Sequence, residues 1–137
     1  MPEHYPYFTF HLFAARFASA AEAELFAFEQ WQPEPGPEAN AAQYQAWEDN
    51  NPSWRLAQEL ERHLDSDFIE LLPRDEYPHY LESLIHSDVE RQRLHSQVVC
   101  DHSHFILIAS AALDGQQPAL QGTTTLDYLG LFNRTLP

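Results

Sequence analysis

The densest group of metal-ligating residue types in this chain is the run Cys100-Asp101-His102-Ser103-His104. Side chains two residues apart on a strand point to the same face, so His102 and His104 would provide half of a zinc or copper site. A tetrahedral site needs one or two further ligands, and no second pair of cysteines or histidines stands at a recognisable spacing. The sequence therefore favours a polar entry into a strand, and we expect neither a metal nor another cofactor.

A second candidate for chemistry is the carboxylate pair Asp65 and Asp67, followed by Glu70. The pair lacks the glycine and the terminal glutamate of a calcium loop. Hydrolysis by two carboxylates requires them to face each other across a cleft, which spacing alone does not establish. An exposed acidic edge is the simpler interpretation. The alternative that stays open is a small metal-binding or hydrolytic domain that uses His102 and His104 with Asp65 and Asp67.

Motifs for other catalytic chemistry are missing from the sequence. It contains no Gly-x-Ser-x-Gly elbow, no phosphate-binding loop and no dinucleotide fingerprint. Cys100 is the only cysteine, which excludes an intramolecular disulfide and fits a reducing compartment. Its neighbours Val98 and Val99 predict a buried, unreactive thiol. We therefore assign no catalytic residue and expect that the protein is not an enzyme.

The periodicity of apolar residues predicts an α+β domain, with a small, mainly antiparallel sheet covered by helices. Strands are expected near residues 7–13, 67–72, 104–112 and 123–132. The first of these is apolar on one face and half apolar on the other, and the segment 104–109 is apolar on both, which indicates central strands. Capping-box patterns at Ser19 and Ser87 predict helices from Ser19 to Trp31 and from Ser87 towards Val98.

Three further helices are expected between these landmarks. Tyr44 and Trp47, three residues apart, suggest a short helix within 39–50. The punctuation Asn51-Pro52-Ser53 starts another, with Trp54 and Leu64 among its buried residues, and a third covers 77–85. One unit, residues 1–137, accounts for the whole sequence, because this length suits a single core.

The net charge of the chain limits the classes of molecule that it can bind. Twenty-one acidic residues face seven arginines and no lysine, giving a net charge of −14 in 137 residues. Such a field repels nucleic acid and anionic membranes and attracts cationic proteins. No apolar run approaches the roughly 20 residues of a membrane span, and the N-terminal region lacks the basic start of a secretory signal. We therefore expect a cytoplasmic protein whose partner is basic.

The predicted binding surface is the densest acidic block that also contains aromatic residues. Aromatic side chains inside a charged rim make strong interface anchors, and Phe68 and Tyr77 stand in this block. Tryptophans and tyrosines elsewhere are expected mostly in the core, with one or two available beside exposed acids. The predicted partner-binding residues are Asp65, Asp67, Glu70, Asp75, Glu76 and Tyr77.

Four stretches of the chain resemble the immunity protein 22 family, inhibitors encoded beside bacterial polymorphic toxins. They are the aromatic strand 7–13 with the helix that follows it, Asp65-Ser66-Asp67-Phe68-Ile69-Glu70, the strand 104–110, and Leu126-Asp127-Tyr128-Leu129-Gly130-Leu131. The resemblance implies an α+β fold and a function in competition between bacteria. It implies neutralisation of a cognate toxin by tight binding, without catalysis.

Overall fold

Four antiparallel strands form the centre of the protein in a computed structural model that describes residues 9–85, 87–113 and 118–134. They are β1 (Thr9–Ala15), β2 (Ile69–Pro73), β3 (His104–Ala109) and β4 (Leu126–Asn133). Their order in the sheet is β2-β3-β1-β4. The predicted α+β class is confirmed, and so is the central position of β1 and β3. Residues 7 and 8 of the first predicted strand lie outside the described residues.

The strands are shorter than predicted where polar side chains hold the chain in turns. β3 ends at Ala109 rather than residue 112, and Ser110–Leu113 forms a 3-10 turn. The Ser110 hydroxyl, at the start of this turn, is hydrogen-bonded to the Thr9 hydroxyl. β4 begins at Leu126 rather than residue 123, because Glu59 accepts hydrogen bonds from the hydroxyls of Thr123 and Thr125. β2 begins at Ile69 after a 3-10 turn, Ser66–Phe68.

The described ranges contain five α-helices: α1 (Ala20–Ala27), α2 (Ala41–Asn50), α3 (Arg55–Leu60), α4 (Glu82–Leu84) and α5 (Asp88–Gln97). The region 77–85, predicted as one helix, consists of a π-helical turn (Tyr77–Leu81) followed by α4, and a 3-10 turn (Arg74–Glu76) precedes it.

The predicted helix starts at the two serines are confirmed, whereas the predicted end of α1 is wrong. Ser19 accepts a hydrogen bond from the Glu22 amide, and Ser87 accepts one from the Glu90 amide. α1 stops at Ala27, four residues before Trp31, because Gln30 forms an antiparallel bridge with Ser53 and extends the chain. Leu25 of α1 is 55% exposed.

Helices cover the sheet on both faces, since its central strands are apolar on both. One face packs Phe13, Ile106 and Ile108 against Phe26 of α1 and Leu56 of α3. The opposite face packs residues of β1, β3 and β4 against the helical region 77–85 and α5; its members include Phe10, Leu12, Phe105, Leu107, Phe132, Leu81, Ile85 and Leu94. The two layers bury every described residue of β1.

A polar stripe on α5 covers the outer edge of β4. The Glu90 carboxylate accepts from the Asn133 amide at 2.9 Å, Arg93 donates to the Leu131 carbonyl at 2.6 Å, and Gln97 donates to the Leu129 carbonyl at 2.8 Å. Glu90, Arg93 and Gln97 are spaced three and four residues apart and so share one helix face. These side chains occupy the backbone groups that another strand would pair with.

Gly130 allows β4 to approach this stripe. Its φ of +128° lies in a region that side-chain-bearing residues rarely adopt, and the guanidinium of Arg93 lies over the ring of the neighbouring Phe132 at 4.3 Å. A bulge between the Leu12 and Phe13 pairings changes the register of β4 at this point. The sequence therefore needs glycine here for its backbone conformation.

We expect Gly130→Ala to lower the free energy of unfolding by about 1–3 kcal/mol, because alanine must adopt a strained positive φ. Urea unfolding followed by circular dichroism measures the change. Gly36→Ala is the matched control: a Cβ there meets nothing within 4 Å, so a change within about 0.5 kcal/mol is expected. Equal stability of the two variants would contradict the assigned role of Gly130.

Candidate functional site: the acidic flank of β2

The exposed acids predicted to bind a partner lie at both ends of β2, which is an edge strand. We call Asp65, Asp67, Phe68, Asp75 and Glu76 the β2 flank. Asp67, Asp75 and Glu76 are exposed, whereas Asp65 is half-buried and its carboxylate accepts from the Asp67 amide at 3.0 Å. The five residues of β2 separate the two ends by roughly 17 Å. The flank is thus a strip along one side of the sheet.

Glu70 and Tyr77, the other two predicted residues, turn towards the interior. Glu70 accepts a hydrogen bond from the Tyr80 hydroxyl at 2.8 Å. The Tyr77 ring stacks on Phe105 with 5.5 Å between centroids, and its hydroxyl bonds His95 at 2.7 Å. Burial, and then the charge of Glu82, raise the pKa of Tyr77. Both side chains are therefore bonded or packed within the protein and contribute little to the exposed surface of the β2 flank.

Phe68 is the aromatic side chain that the β2 flank presents to solvent. It is 45% exposed and lies between Asp67 and the start of β2. Arg74, the cation within this part of the chain, points away from the acids and donates to the carbonyls of Val99 at 2.6 Å and His102 at 2.9 Å. The strip consequently combines an exposed ring with carboxylates that Arg74 does not neutralise.

The backbone of β2 offers little to an added strand. The backbone amide of Arg74 donates to the Ser103 carbonyl, on the side of β3. Because successive amides along a strand point to opposite sides, the amides of Ile69 and Leu71 point to the outer edge. The Ile69 amide already donates to Ser66, and Pro73 has no amide hydrogen. A partner on this edge would therefore be bound mainly by side chains.

The prediction that His102 and His104 point the same way is wrong. His102 precedes β3, and its ring lies against Phe105 of one core layer, whereas the His104 ring packs edge-on against Phe17 of the other. Alternation along a strand does not apply to His102 because it sits before the strand. Across the described ranges, no three His, Cys, Asp or Glu side chains gather in a way that could hold a metal ion.

His102 is instead part of a polar network at the end of the sheet. Its Nε2 donates to Asp127 at 2.8 Å, while its Nδ1 accepts from the Val99 amide at 3.1 Å. Arg16 donates to Asp127 at 2.9 Å and to Asp101 at 2.7 Å. The hydrogen bond from His102, followed by Arg16, lowers the pKa of Asp127. Both nitrogens of His102 are thus committed to holding three chain segments together.

The residues of the hydrolytic alternative do not meet in one site. The β2–β3 ladder runs from Ile69 opposite Ile108 to Pro73 opposite His104. The histidines therefore stand at one end of the ladder and the pair Asp65 and Asp67 at the other, at least roughly 13 Å away. Four groups placed in this way cannot act on one bond.

Cys100 is exposed, contrary to the prediction of a buried thiol. The valines that suggested burial are only partly covered, and Val99 is itself 44% exposed. The turn before β3 carries Cys100 outward, because the hydrogen bond from the His102 amide to the Val99 carbonyl closes the chain on itself. Apolar neighbours in sequence do not bury a residue at the tip of a turn.

A projecting segment with exposed aromatic rings was not predicted as a site. We call residues 31–52 the α2 lobe. The bridge between Gln30 and Ser53 closes its base, and Asn51 ties it further by accepting from the Gln32 amide at 2.7 Å. None of the α2 side chains is fully buried. The signal in the sequence is a complete lack of arginine, lysine and histidine between residues 17 and 54.

Comparison of the chain with protein-family models, with curated proteins and with solved structures finds no match. Among the helices that the structure describes, none has the length and apolar character needed to cross a membrane.

His11, in the middle of β1, is a buried histidine whose pKa is lowered. It is 2% exposed, its Nδ1 bonds the Tyr128 hydroxyl at 2.8 Å, and its Nε2 has no partner among the described residues. Burial, and then the positive charge of Arg62, lower its pKa to about 4. The folded protein therefore holds this side chain neutral at pH values where an unfolded chain would protonate it.

We expect this burial to make the protein less stable in acid. An unfolded histidine takes up a proton near pH 6.5 but folded His11 only near pH 4, so stability falls as the pH is lowered through that window, by up to about 3 kcal/mol. His11→Gln should flatten this part of the profile in urea unfolding at pH 4–7. Identical profiles for the unaltered protein and the variant would contradict the assignment.

Proposed function

We propose that the protein is an immunity protein that neutralises a cognate bacterial toxin by direct, tight binding through its acidic surface. The toxin is basic, and the complex forms in the cytoplasm of the producing cell. The proposal involves no catalysis by this chain. The resemblance to the immunity protein 22 family suggested it, and the distribution of charge supports it.

The observation that carries the proposal is the way in which arginines are used. Arg74, Arg91 and Arg93 each donate to backbone carbonyls, and Arg55 lies over the Phe26 ring at 5.1 Å. In the described part of the chain, arginine ion pairs involve only Asp88, Asp101 and Asp127. Glu82 is paired with His95, and the remaining acids of the described ranges have no ion pair, so their mutual repulsion costs folding energy unless a basic partner compensates for it.

The affinity that such an inhibitor needs fits a surface of this kind. Protection from a lethal enzyme at low copy number requires nanomolar binding or better, about 12 kcal/mol. An interface of about 800 Å² per partner reaches this range when a few anchors are well buried. Phe68 within the β2 flank is an anchor of this type, and the carboxylates around it would speed the encounter with a basic protein. An enzyme that acts on nucleic acid is our first candidate, since such enzymes are cationic.

The hydrolytic alternative has less support because its histidines and aspartates stand at opposite ends of the β2–β3 ladder. The committed nitrogens of His102 weaken it further. A binding function needs only an exposed, rigid surface, and the β2 flank is attached to a strand of the sheet.

The direct test expresses the toxin module encoded beside this protein, with and without it. We expect co-production to restore growth, and the two purified proteins to co-elute from a sizing column as a stable complex. A net-neutral small domain produced at the same level serves as the control for unspecific protection. Failure to rescue growth together with separate elution would refute the proposal.

We expect reversal of two exposed flank acids, Asp67→Lys with Asp75→Lys, to slow association with the toxin. Binding should weaken by several kcal/mol if the acids are buried in the contact, and by less than about 1 kcal/mol if they lie at its rim. Raising the salt concentration should slow association of the unaltered protein more than it speeds dissociation. Surface plasmon resonance at several salt concentrations separates the two rates.

The control for this pair is Glu24→Lys with Asp88→Lys, on α1 and α5, which changes the net charge by the same amount. Its smaller effect would localise the attraction to the β2 flank. Unchanged rates for the flank pair would place the interface elsewhere on the molecule.

A further inference from the structure

The α2 lobe exposes an ordered group of aromatic rings. Trp31 is 59% exposed, and its ring centroid lies 6.0 Å from that of Trp47. Tyr44 meets Trp47 edge-on at 5.8 Å. Solvent-exposed tryptophans are unusual unless they bind something, because they bury the most apolar area when covered and are enriched among interface hot spots.

Hydrogen bonds at the base and within the lobe hold these rings in place. Trp47 donates from Nε1 to the Gln32 carbonyl at 3.0 Å, and Asn51 donates to the Trp47 carbonyl at 2.9 Å. A reciprocal capping box between Asn40 and Gln43 starts α2. The rings are therefore positioned before any partner arrives, which reduces the entropy that binding has to overcome.

The lobe stands in the most uniformly anionic part of the chain. Residues 17–54 contain seven carboxylates and no cationic side chain, so they carry half of the net charge of −14. On α2, Trp47 and Glu48 follow Tyr44 by three and four residues, so both lie on the same helix face as Tyr44. An exposed carboxylate thus borders the rings. The seven acids are Glu22, Glu24, Glu29, Glu34, Glu38, Glu48 and Asp49.

We propose that the α2 lobe binds an arginine-bearing segment of a basic protein partner, with the guanidinium stacked on the tryptophan rings and paired with the neighbouring carboxylates. Arginine stacks on an aromatic face through its planar, weakly hydrated group, and tryptophan is the preferred ring. The chain itself uses this contact twice, where Arg55 lies over Phe26 and Arg93 over Phe132. The surrounding charge excludes nucleic acid and an acidic peptide as the occupant.

This inference rests on the proposed function only for the identity of the partner, the cognate toxin. The lobe and the β2 flank then have different roles in one complex. Carboxylates of the flank attract the toxin over a distance, whereas the rings of the lobe retain it, so loss of a ring should act on dissociation.

The first experiment uses a defined probe, a short glycine-arginine peptide, and a version in which citrulline replaces arginine. The probe is titrated into the ¹⁵N-labelled full-length protein while the three tryptophan indole signals are followed. We expect the signals of Trp31 and Trp47 to shift, and that of Trp54, which is buried and bonded to the Ala27 carbonyl at 2.8 Å, to stay fixed. The citrulline peptide should bind at least tenfold more weakly. Equal binding of both peptides would overturn the proposal.

The second experiment measures the toxin complex with Trp31→Ala. Dissociation should become about tenfold faster, with association nearly unchanged. Leu25→Ala, which also removes an exposed apolar side chain but lies on α1, should leave both rates unaltered. Because the Trp31 side chain is 59% exposed, the variant should fold, and the unshifted Trp54 indole signal verifies it.

The results separate the two proposals. A toxin complex whose rates are unaffected by Trp31→Ala would overturn the role of the lobe and leave the proposed function standing. Peptide binding that depends on Trp31, without any toxin complex, would refute the proposed function and support the lobe as a site for arginine.

Discussion

Burial of the two central strands on both faces is the constraint on which the rest of the structure depends. β1 and β3 carry apolar side chains on each side, and a sheet of this kind must be covered twice. α1 and α3 cover one face, and the region from Tyr77 to α5 covers the other. The cost of this arrangement falls on polar residues inside the sheet. His11 stays neutral, and the hydroxyls of Thr9 and Ser110 bond each other.

The small number of cationic residues then makes the surface acidic. The chain has seven arginines and no lysine, so each guanidinium that bonds within the fold leaves one fewer cation to neutralise the surface acids. Arg93 donates to the Leu131 carbonyl at the edge of β4, and Arg74 donates to the Val99 carbonyl in the turn before β3. One sheet edge is thereby covered by a helix, whereas the other, β2, carries acids at both ends. The acidic exterior is thus partly a consequence of how the interior is held together.

Sequence periodicity could predict the sheet because alternation and burial are local properties of β1 and β3. It failed where a tertiary contact overrides the local pattern. His102 leaves the strand alternation to bond Asp127, which lies 25 residues away, and α1 ends early because Gln30 pairs with Ser53. The six predicted site residues include three exposed acids, but Glu70 and Tyr77 turn inward to partners that spacing could not reveal. The α2 lobe was missed for the opposite reason: aromatic residues are usually core, and only the structure distinguishes buried Trp54 from exposed Trp31.

The lobe is also separable from the core in energetic terms. A helix without a fully buried side chain adds little to the free energy of folding, and the bridge between Gln30 and Ser53 closes the segment that contains it. Residues there can change without unfolding the sheet, in contrast to Gly130 or His11. For the proposed binding of a partner, this independence would allow specificity to be altered by substitutions that leave stability intact. The sheet with its two helical layers supplies rigidity, and the lobe supplies the part of the surface that is free to vary.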